Sequence, residues 1–255
     1  MRNLFLTLAY NGAAYHGWQR QNNAYTVQQA VEEGLSALLG EDVTVNGCSR
    51  TDAGVHANMY CLTFQTENAI PPQGLIIGVN DKLPDDIAVR ECREVPEGFH
   101  ARFDCKGKEY LYIVHNSALK NPFYKDTAMR WRHPIDAQLL DREAKAFIGT
   151  HDFKGFCCAD NDKENTVREI YSFDVRRDGE LVRFTVSGSG FLYNMVRIMV
   201  GTLLYIGDGK LARGCIPGLI AARDRTLAGK TVEPQGLYLN RVFYEEGKMT
   251  LEKQG

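Results

Sequence analysis

One carboxylate, Asp52, stands in "GCSRTDAGVHA" (residues 47–57) with a cation, Arg50, two positions before it and turn-forming residues around both. Ala53-Gly54 suits a tight turn at a strand end, where a short side chain stays close to the backbone and can face a cleft. The planar guanidinium of Arg50 could hold that carboxylate ionised and aimed. The same residues also suit an Asx-turn, in which Asp52 only bonds amides two residues on, and spacing alone fits that reading better. An aspartic protease would need two Asp-Thr-Gly signatures, and the order here is Thr-Asp-Ala-Gly, once. A glycosidase would need a second carboxylate about 5 to 10 Å away, and no other acid occupies a comparable turn. A lone carboxylate suits a nucleophile whose leaving group needs little protonation.

Three further stretches carry residue types with chemical potential. In "KGKEYLYIVHN", Tyr110 and Tyr112 lie two apart, so on a strand they share a face, either as an aromatic platform for a nucleobase or as ordinary core. In "GSGFLYNMVRIMVG" (188–201), Arg197 is the only cation in an apolar helical run. A charge in such a place is costly unless paired, and Asp52 is a candidate partner. "YHGWQRQ" and "FHARFDCKGK" mix basic and aromatic residues, so an exposed Trp18, Arg20, His100, Arg102 and Lys106 could meet phosphates and bases.

These residues need a scaffold. "NLFLTLAY" alternates with Leu4, Leu6, Leu8 and Tyr10 on one face, which predicts a strand over residues 3–10. "TVQQAVEEGLSALLG" predicts a helix with a Thr26–Gln29 capping box, a buried stripe of Val27, Val31, Leu35 and Leu38, and a stop at Gly40. Strands are expected at 42–47 and 57–65, with the Asp52 segment between them. A second β-α-β-β order follows: a strand at 108–116, a helix at 134–150 with Ile135, Leu139, Leu140 and Phe147 in the core, and a hairpin turned at Asp178-Gly179. A long helix from near Phe191 and a last strand at 236–244 complete it. The expected class is α+β, with two ferredoxin-like units built on antiparallel sheets covered by helices on one face. The boundary is placed at residue 102, giving domains 1–102 and 103–255.

Composition narrows the setting without naming a function. The chain has 255 residues, a net charge of −2, 44% hydrophobic and 24% charged residues, values ordinary for a soluble globular protein. No run approaches the roughly 18 apolar residues of a membrane span. Seven cysteines at irregular spacing, without a CxxC, point to a reducing, cytoplasmic setting with no structural zinc. The six histidines are scattered and form no metal pattern.

Taken together, "YHGWQRQ", "TVQQAVEEGL", "GCSRTDAGVHA", "LPDDIAV", "FHARFDCKGKEYLY", "HDF", "FLYNMVRIMVG" and "GLYL" closely resemble, in order, the TruA family of tRNA pseudouridine synthases. That resemblance implies two α/β domains joined through a continuous antiparallel sheet with the active-site cleft between them. It also implies a homodimer, a tRNA substrate, and conversion of uridine to pseudouridine at positions 38 to 40 of the anticodon stem-loop, without metal or organic cofactor. Asp52 matches the catalytic aspartate, Arg197 the arginine that pairs with it, and Arg50 the arginine that helps the base leave its stack. Tyr110 matches the tyrosine stacked on the target uracil, with Leu237, Arg20, Trp18 and Arg102 as further substrate contacts.

The sequence departs from the family's usual pattern at Ser49, at Met59-Tyr60 and in "VEPQGLYL". None is a proposed catalytic residue. They leave open a paralogue acting on another uridine or RNA; a silent RNA-binding protein that keeps the fold is the other alternative, and the intact Asp52, Tyr110 and Arg197 set argues against it.

Overall fold

The computed structural model describes residues 1–158 and 165–244. The chain divides into two compact units, the first made of Met1–Gly107 and the C-terminal stretch from Tyr238, the second of Lys108–Leu237.

The first unit opens with β1 (Arg2–Tyr10) and helix α1 (Val27–Leu39). Thr26 caps α1 by accepting from the Gln29 N–H, and Gly40 ends it in the left-handed conformation at φ 71°. Only half of the expected capping box forms, because the Gln29 side chain turns forward to Glu33. Then come β2 (Asn46–Gly47), β3 (His56–Thr66), helix α2 (Pro72–Asn80) and β4 (Ile87–Val95). β1 runs antiparallel between β3 and β4, and β2 pairs with β3. The strand expected over 42–47 shrinks to two residues because side chains capture the preceding amides. Val43 N–H donates to Ser36 Oγ at 3.0 Å and Val45 N–H to Glu32 Oε1 at 3.2 Å, so no neighbouring strand is needed there.

Helix α2 lies outside the elements expected from the sequence, and it carries Pro72, Gly74 and Gly78, residue types that disfavour a helix interior. Proline suits the first helical turn, where its missing N–H has no partner to lose. Gly78 is used for close approach: a Cβ there would come 2.6 Å from Leu38 of α1. β1 is buried on both faces. Phe5, on the face opposite Leu4 and Leu6, meets Phe99 at 5.8 Å and Tyr244 at 5.6 Å between ring centroids.

The second unit takes most of β5 (Cys105–Asn116), then β6 (Met129–Trp131), helix α3 (Ala137–Ala144), β7 (Gly149–Asp152), β8 (Val167–Asp178), β9 (Leu181–Gly188), and helices α4 (Met195–Gly207) and α5 (Ile216–Ala222). Strands β5, β9, β8 and β7 follow one another antiparallel, and β6 joins β5 in parallel. The β8–β9 hairpin turns through Gly179 and Glu180, with Asp178 paired to Leu181 and Gly179 at φ 58°. Its inward side chains, Phe173, Val175, Val182, Phe184 and Val186, join Tyr112 and Val114 of β5 in a buried layer. Ile135, Leu139, Leu140 and Phe147 are buried as expected. The helix expected to run to residue 150 stops at Ala144, passes through a single tight 3-10 turn, and gives way to β7.

The last strand, β10 (Leu237–Tyr244), pairs in parallel with β3, Tyr238 opposite His56 and Leu239 opposite Ala57. Where sequence kept residues 103–255 together, this pairing returns the strand to the first unit. A strand's own residues say little about which distant edge it joins, so the exchange is invisible in the linear order.

Candidate active site

Asp52 lies half-buried in a four-residue turn. Its carbonyl accepts from Val55 N–H at 3.1 Å, and Gly54 takes φ 77°, the left-handed third position that glycine fills without strain. The "YHGWQ" segment and Tyr10 at the end of β1 hold this turn from outside. Trp18 N–H donates to the Thr51 carbonyl at 3.1 Å, Gly54 N–H to the Tyr15 carbonyl at 3.3 Å, and Tyr10 Oη shares a 2.9 Å hydrogen bond with Thr51 Oγ1. Gly17 (φ 86°) and Gly12 permit the approach, since a Cβ on either would overlap a turn carbonyl, Thr51 or Val55 respectively. Backbone is thus laid on backbone, and the carboxylate inherits a fixed origin.

Beneath the turn, Tyr60 stacks on Trp18 and its hydroxyl donates to the Ser49 carbonyl. Trp18 is 3% exposed. Its expected exposure is therefore corrected: the indole packs inward on Tyr60 and over Gly47, where a side chain would collide with both residues. Cys48 and Cys61 face one another at the base of the segment, with Cys48 N–H donating to the Cys61 carbonyl at 2.8 Å. Both are buried thiols outside any disulfide, and burial, with Cys48 adding to it, pushes the Cys61 thiol well up. Past the turn, buried His56 accepts from Gly12 N–H at its Nδ1, 3.0 Å away, and stacks on Tyr238 at 4.6 Å.

The basic residues of this unit divide by role. Arg50 is exposed. Arg20 is tied at 2.8 Å to Glu32, a nearly buried acid that also accepts from Gln28 and Val45 N–H. Arg102 is exposed with its guanidinium 6.0 Å from the centre of the Phe103 ring. Phe103 is itself 76% exposed and packs on His100, so "FHARFD" forms an aromatic and basic knuckle at the surface.

In the second unit, Tyr110 of β5 is 7% exposed and meets the edge of Phe191 at 5.1 Å and 82°. Tyr112, on the same face, is pure core: its hydroxyl donates to the Glu233 carbonyl at 2.6 Å, and burial pushes its phenol well up. Leu237 is buried at the start of β10. Arg197 sits in the first turn of α4 among the fully buried Met195, Ile198 and Met199. Its Nε donates to the Val232 carbonyl at 2.6 Å, and its Nη1 to Asn194 Oδ1 at 2.6 Å. The expected residues therefore fall into two sets: Asp52, Arg50, Trp18, Arg20 and Arg102 in the first unit, Tyr110, Arg197 and Leu237 in the second. Among the described residues, no group of three His, Cys, Asp or Glu is placed to hold a metal ion.

Residues 7–104 and 144–245 match the family model described as tRNA pseudouridine synthase. The chain is 46% identical over 245 residues to the tRNA pseudouridine synthase A of Ruminiclostridium cellulolyticum, covering 96% of this chain and all of that protein. It is 42% identical over 244 residues to that of Acetivibrio thermocellus, with 96% and 100% covered, and 44% identical over 247 residues to that of Citrifermentans bemidjiense, with 96% and 99% covered. The chain belongs to the tRNA pseudouridine synthases.

Ser49 and Tyr60, both singled out in the sequence, are one feature of the structure, since the Tyr60 hydroxyl donates to the Ser49 carbonyl. Sequence reasoning missed Tyr60 as a support, His56 as a brace and Asn194 as a partner of Arg197. His56 and Asn194 lie within the matched motifs and Tyr60 just past one, and none has a spacing signal of its own. The positive φ of Asn194 is visible only in three dimensions.

Proposed function

We propose that this pseudouridine synthase acts on tRNA at positions 38 to 40 of the anticodon stem-loop, with Asp52 as its catalytic carboxylate. The observation that supports this most strongly is the Asp52 turn. The turn that carries this short, half-buried acid is fixed by two main-chain hydrogen bonds, Trp18 N–H to Thr51 and Gly54 N–H to Tyr15, and by the Tyr10–Thr51 hydroxyl pair, in the position of the family motif. A carboxylate held this way reacts without first being ordered.

The isomerisation breaks the C1′–N1 bond, turns the uracil, and joins C1′ to C5; the C5 proton leaves and N1 gains one. No atom enters or departs overall, so the protein must hold a detached base rather than supply a reagent. In this reading Asp52 acts on the nucleoside as nucleophile or base, and Arg197 is the cation that keeps it ionised. Tyr110 grips the uracil by its face, with Leu237 packed beside it. Arg50 helps the target leave its stack, a step costing a few kcal/mol. Arg20 and the Arg102 knuckle meet the RNA backbone. Trp18 enters as the support beneath the turn. The tRNA lies across a homodimer.

Tritium release from tRNA labelled at uridine C5, followed by mapping of the modified nucleotide, tests the reading. Release with modification at 38 to 40 is expected. Release from another uridine would overturn the site choice alone, and Ser49 with Tyr60 would then be the first residues to exchange. Binding without release from any tRNA would leave a silent RNA-binding protein.

A further inference from the structure

Asn194 has φ 61° and ψ 5°, a left-handed conformation. Among the described residues only one other non-glycine residue, Arg223, has a positive φ. Glycine adopts this region freely; Asn is among the few side chains that tolerate it. The side chain at 194 also does not serve the usual purpose of a residue at a helix start, for it caps no N–H of α4. It is used elsewhere.

Its Oδ1 accepts from Arg197 Nη1 at 2.6 Å, and its Nδ2 donates to Cys158 Sγ at 2.9 Å. The amide orientation is set by chemistry: a guanidinium can only donate, so it faces the oxygen and leaves the nitrogen for the sulfur. The other edge of Arg197 is fixed by Val232, whose carbonyl accepts from Nε at 2.6 Å. That loop is itself clamped to α4. Gly229 N–H donates to Thr202 Oγ1 at 2.9 Å, and Gly201 leaves room for the Lys230 carbonyl, which any side chain would strike. A guanidinium on a flexible stem of three methylenes is thereby held in one plane from two edges. Of the vicinal thiols, Cys158 serves this arrangement, whereas Cys157 turns away to the Lys154 carbonyl at 3.2 Å.

We propose that Asn194, backed by the Cys158 thiol, is a positioning residue that sets the plane of Arg197 for pseudouridine formation. The inference rests on the reading that Arg197 serves the reaction. It asks for an unusual backbone conformation to be kept by a side chain that no helix cap requires, and the two short hydrogen bonds supply the reason.

The test uses the full-length enzyme. Asn194→Gly keeps the left-handed backbone and deletes the amide; Asn194→Asp keeps the acceptor. Asn194→Gly should retain or raise the thermal midpoint, leave tRNA affinity within twofold, and lower the single-turnover rate by about 10- to 100-fold. Asn194→Asp should stay within a few-fold of wild type. In ¹⁵N-arginine spectra the two Nη groups of Arg197 should be resolved in wild type and Asn194→Asp and averaged in Asn194→Gly. Wild-type turnover in Asn194→Gly, a rate lost only in step with stability, or equal loss in Asn194→Gly and Asn194→Asp would each overturn the proposal. If the wild-type enzyme forms no pseudouridine in any tRNA, the functional reading fails instead, and the arginine spectra still decide whether Asn194 sets the guanidinium.

Discussion

The indole of Trp18 lies on the ring of Tyr60, with centroids 3.8 Å apart and planes 23° from parallel. Because the Tyr60 hydroxyl bonds Ser49, this stack carries a constraint from the "YHGW" segment to the base of the Asp52 turn. Trp18→Ala should cost about 3–5 kcal/mol, the range for emptying a large aromatic site. Tyr60→Phe keeps the stack and loses the hydroxyl, and should cost about 1–3 kcal/mol by stranding the Ser49 carbonyl. Urea denaturation measures both. Folded Trp18→Ala should bind tRNA within a few-fold of wild type; a tenfold loss of affinity with unchanged stability would make Trp18 an RNA contact instead.

Gly17 joins two demands that no other residue meets: φ 86°, and a backbone pressed on the Thr51 carbonyl. Gly17→Ala should therefore destabilise the protein by about 1–3 kcal/mol or more. Its turnover, measured well below the melting temperature, should fall further than the loss of folded protein explains, because Thr51 adjoins Asp52. A thermal midpoint within 1 °C of wild type would contradict this account.

Asp52→Asn preserves shape and removes the charge. Pseudouridine formation should fall by on the order of 10⁴-fold, the scale on which an essential catalytic group is lost, while tRNA binding largely survives. Residual activity within tenfold of wild type, by tritium release, would take Asp52 out of the chemistry.

Elements with their own punctuation were legible in the sequence: Thr26 and Gly40 mark the ends of α1, and Gly179 marks the hairpin, whose turn falls one residue past the expected Asp178-Gly179. Those defined by a partner were not. Gly78 looks like a breaker until Leu38 is beside it, and residues 42–45 look like a strand until Ser36 and Glu32 take their amides. The site divides in the same way. The types and order of Asp52, Tyr110 and Arg197 could be read along the chain, but the supports under them, Tyr60, His56 and Asn194, depend on contacts distant in sequence or on a backbone torsion. Trp18 shows the limit of reading exposure from a mixed basic and aromatic stretch, since its ring is buried on Tyr60 and over Gly47.

Asp152 of the "HDF" motif accepts from the Thr166 hydroxyl at 2.5 Å and from Lys154 N–H at 3.0 Å, and pairs with Arg223 at 2.9 Å. Partial burial pushes its carboxyl up, but Thr166, the Lys154 amide and Arg223 outweigh burial and hold it below the ordinary aspartate value. A depressed folded value means that the stabilisation is complete above the unfolded value near about 4 and fades as pH falls through the lower folded value. Stability measured from pH 7 down to pH 2 should drop less steeply below pH 4 in Asp152→Asn than in wild type. Parallel profiles would exclude Asp152 as a contributor to the acid transition.

Tyr110 and Tyr112 occupy one strand face, yet their surroundings separate them. Tyr112 has its hydroxyl committed to Glu233 and no exposed surface, whereas Tyr110 keeps 7% exposure and rests against the edge of Phe191. Removing the hydroxyl should therefore matter differently at the two positions. Tyr112→Phe strands a buried carbonyl and should cost about 1–3 kcal/mol in urea with little change in turnover of the folded enzyme. Tyr110→Phe retains the ring face that stacks on a base and should keep turnover within about tenfold. Tyr110→Ala, which removes a contact worth roughly 1–3 kcal/mol per stacked base, should lose it by a further tenfold or more. Equal turnover in Tyr110→Phe and Tyr110→Ala would remove Tyr110 from the site and return it to the core beside Tyr112.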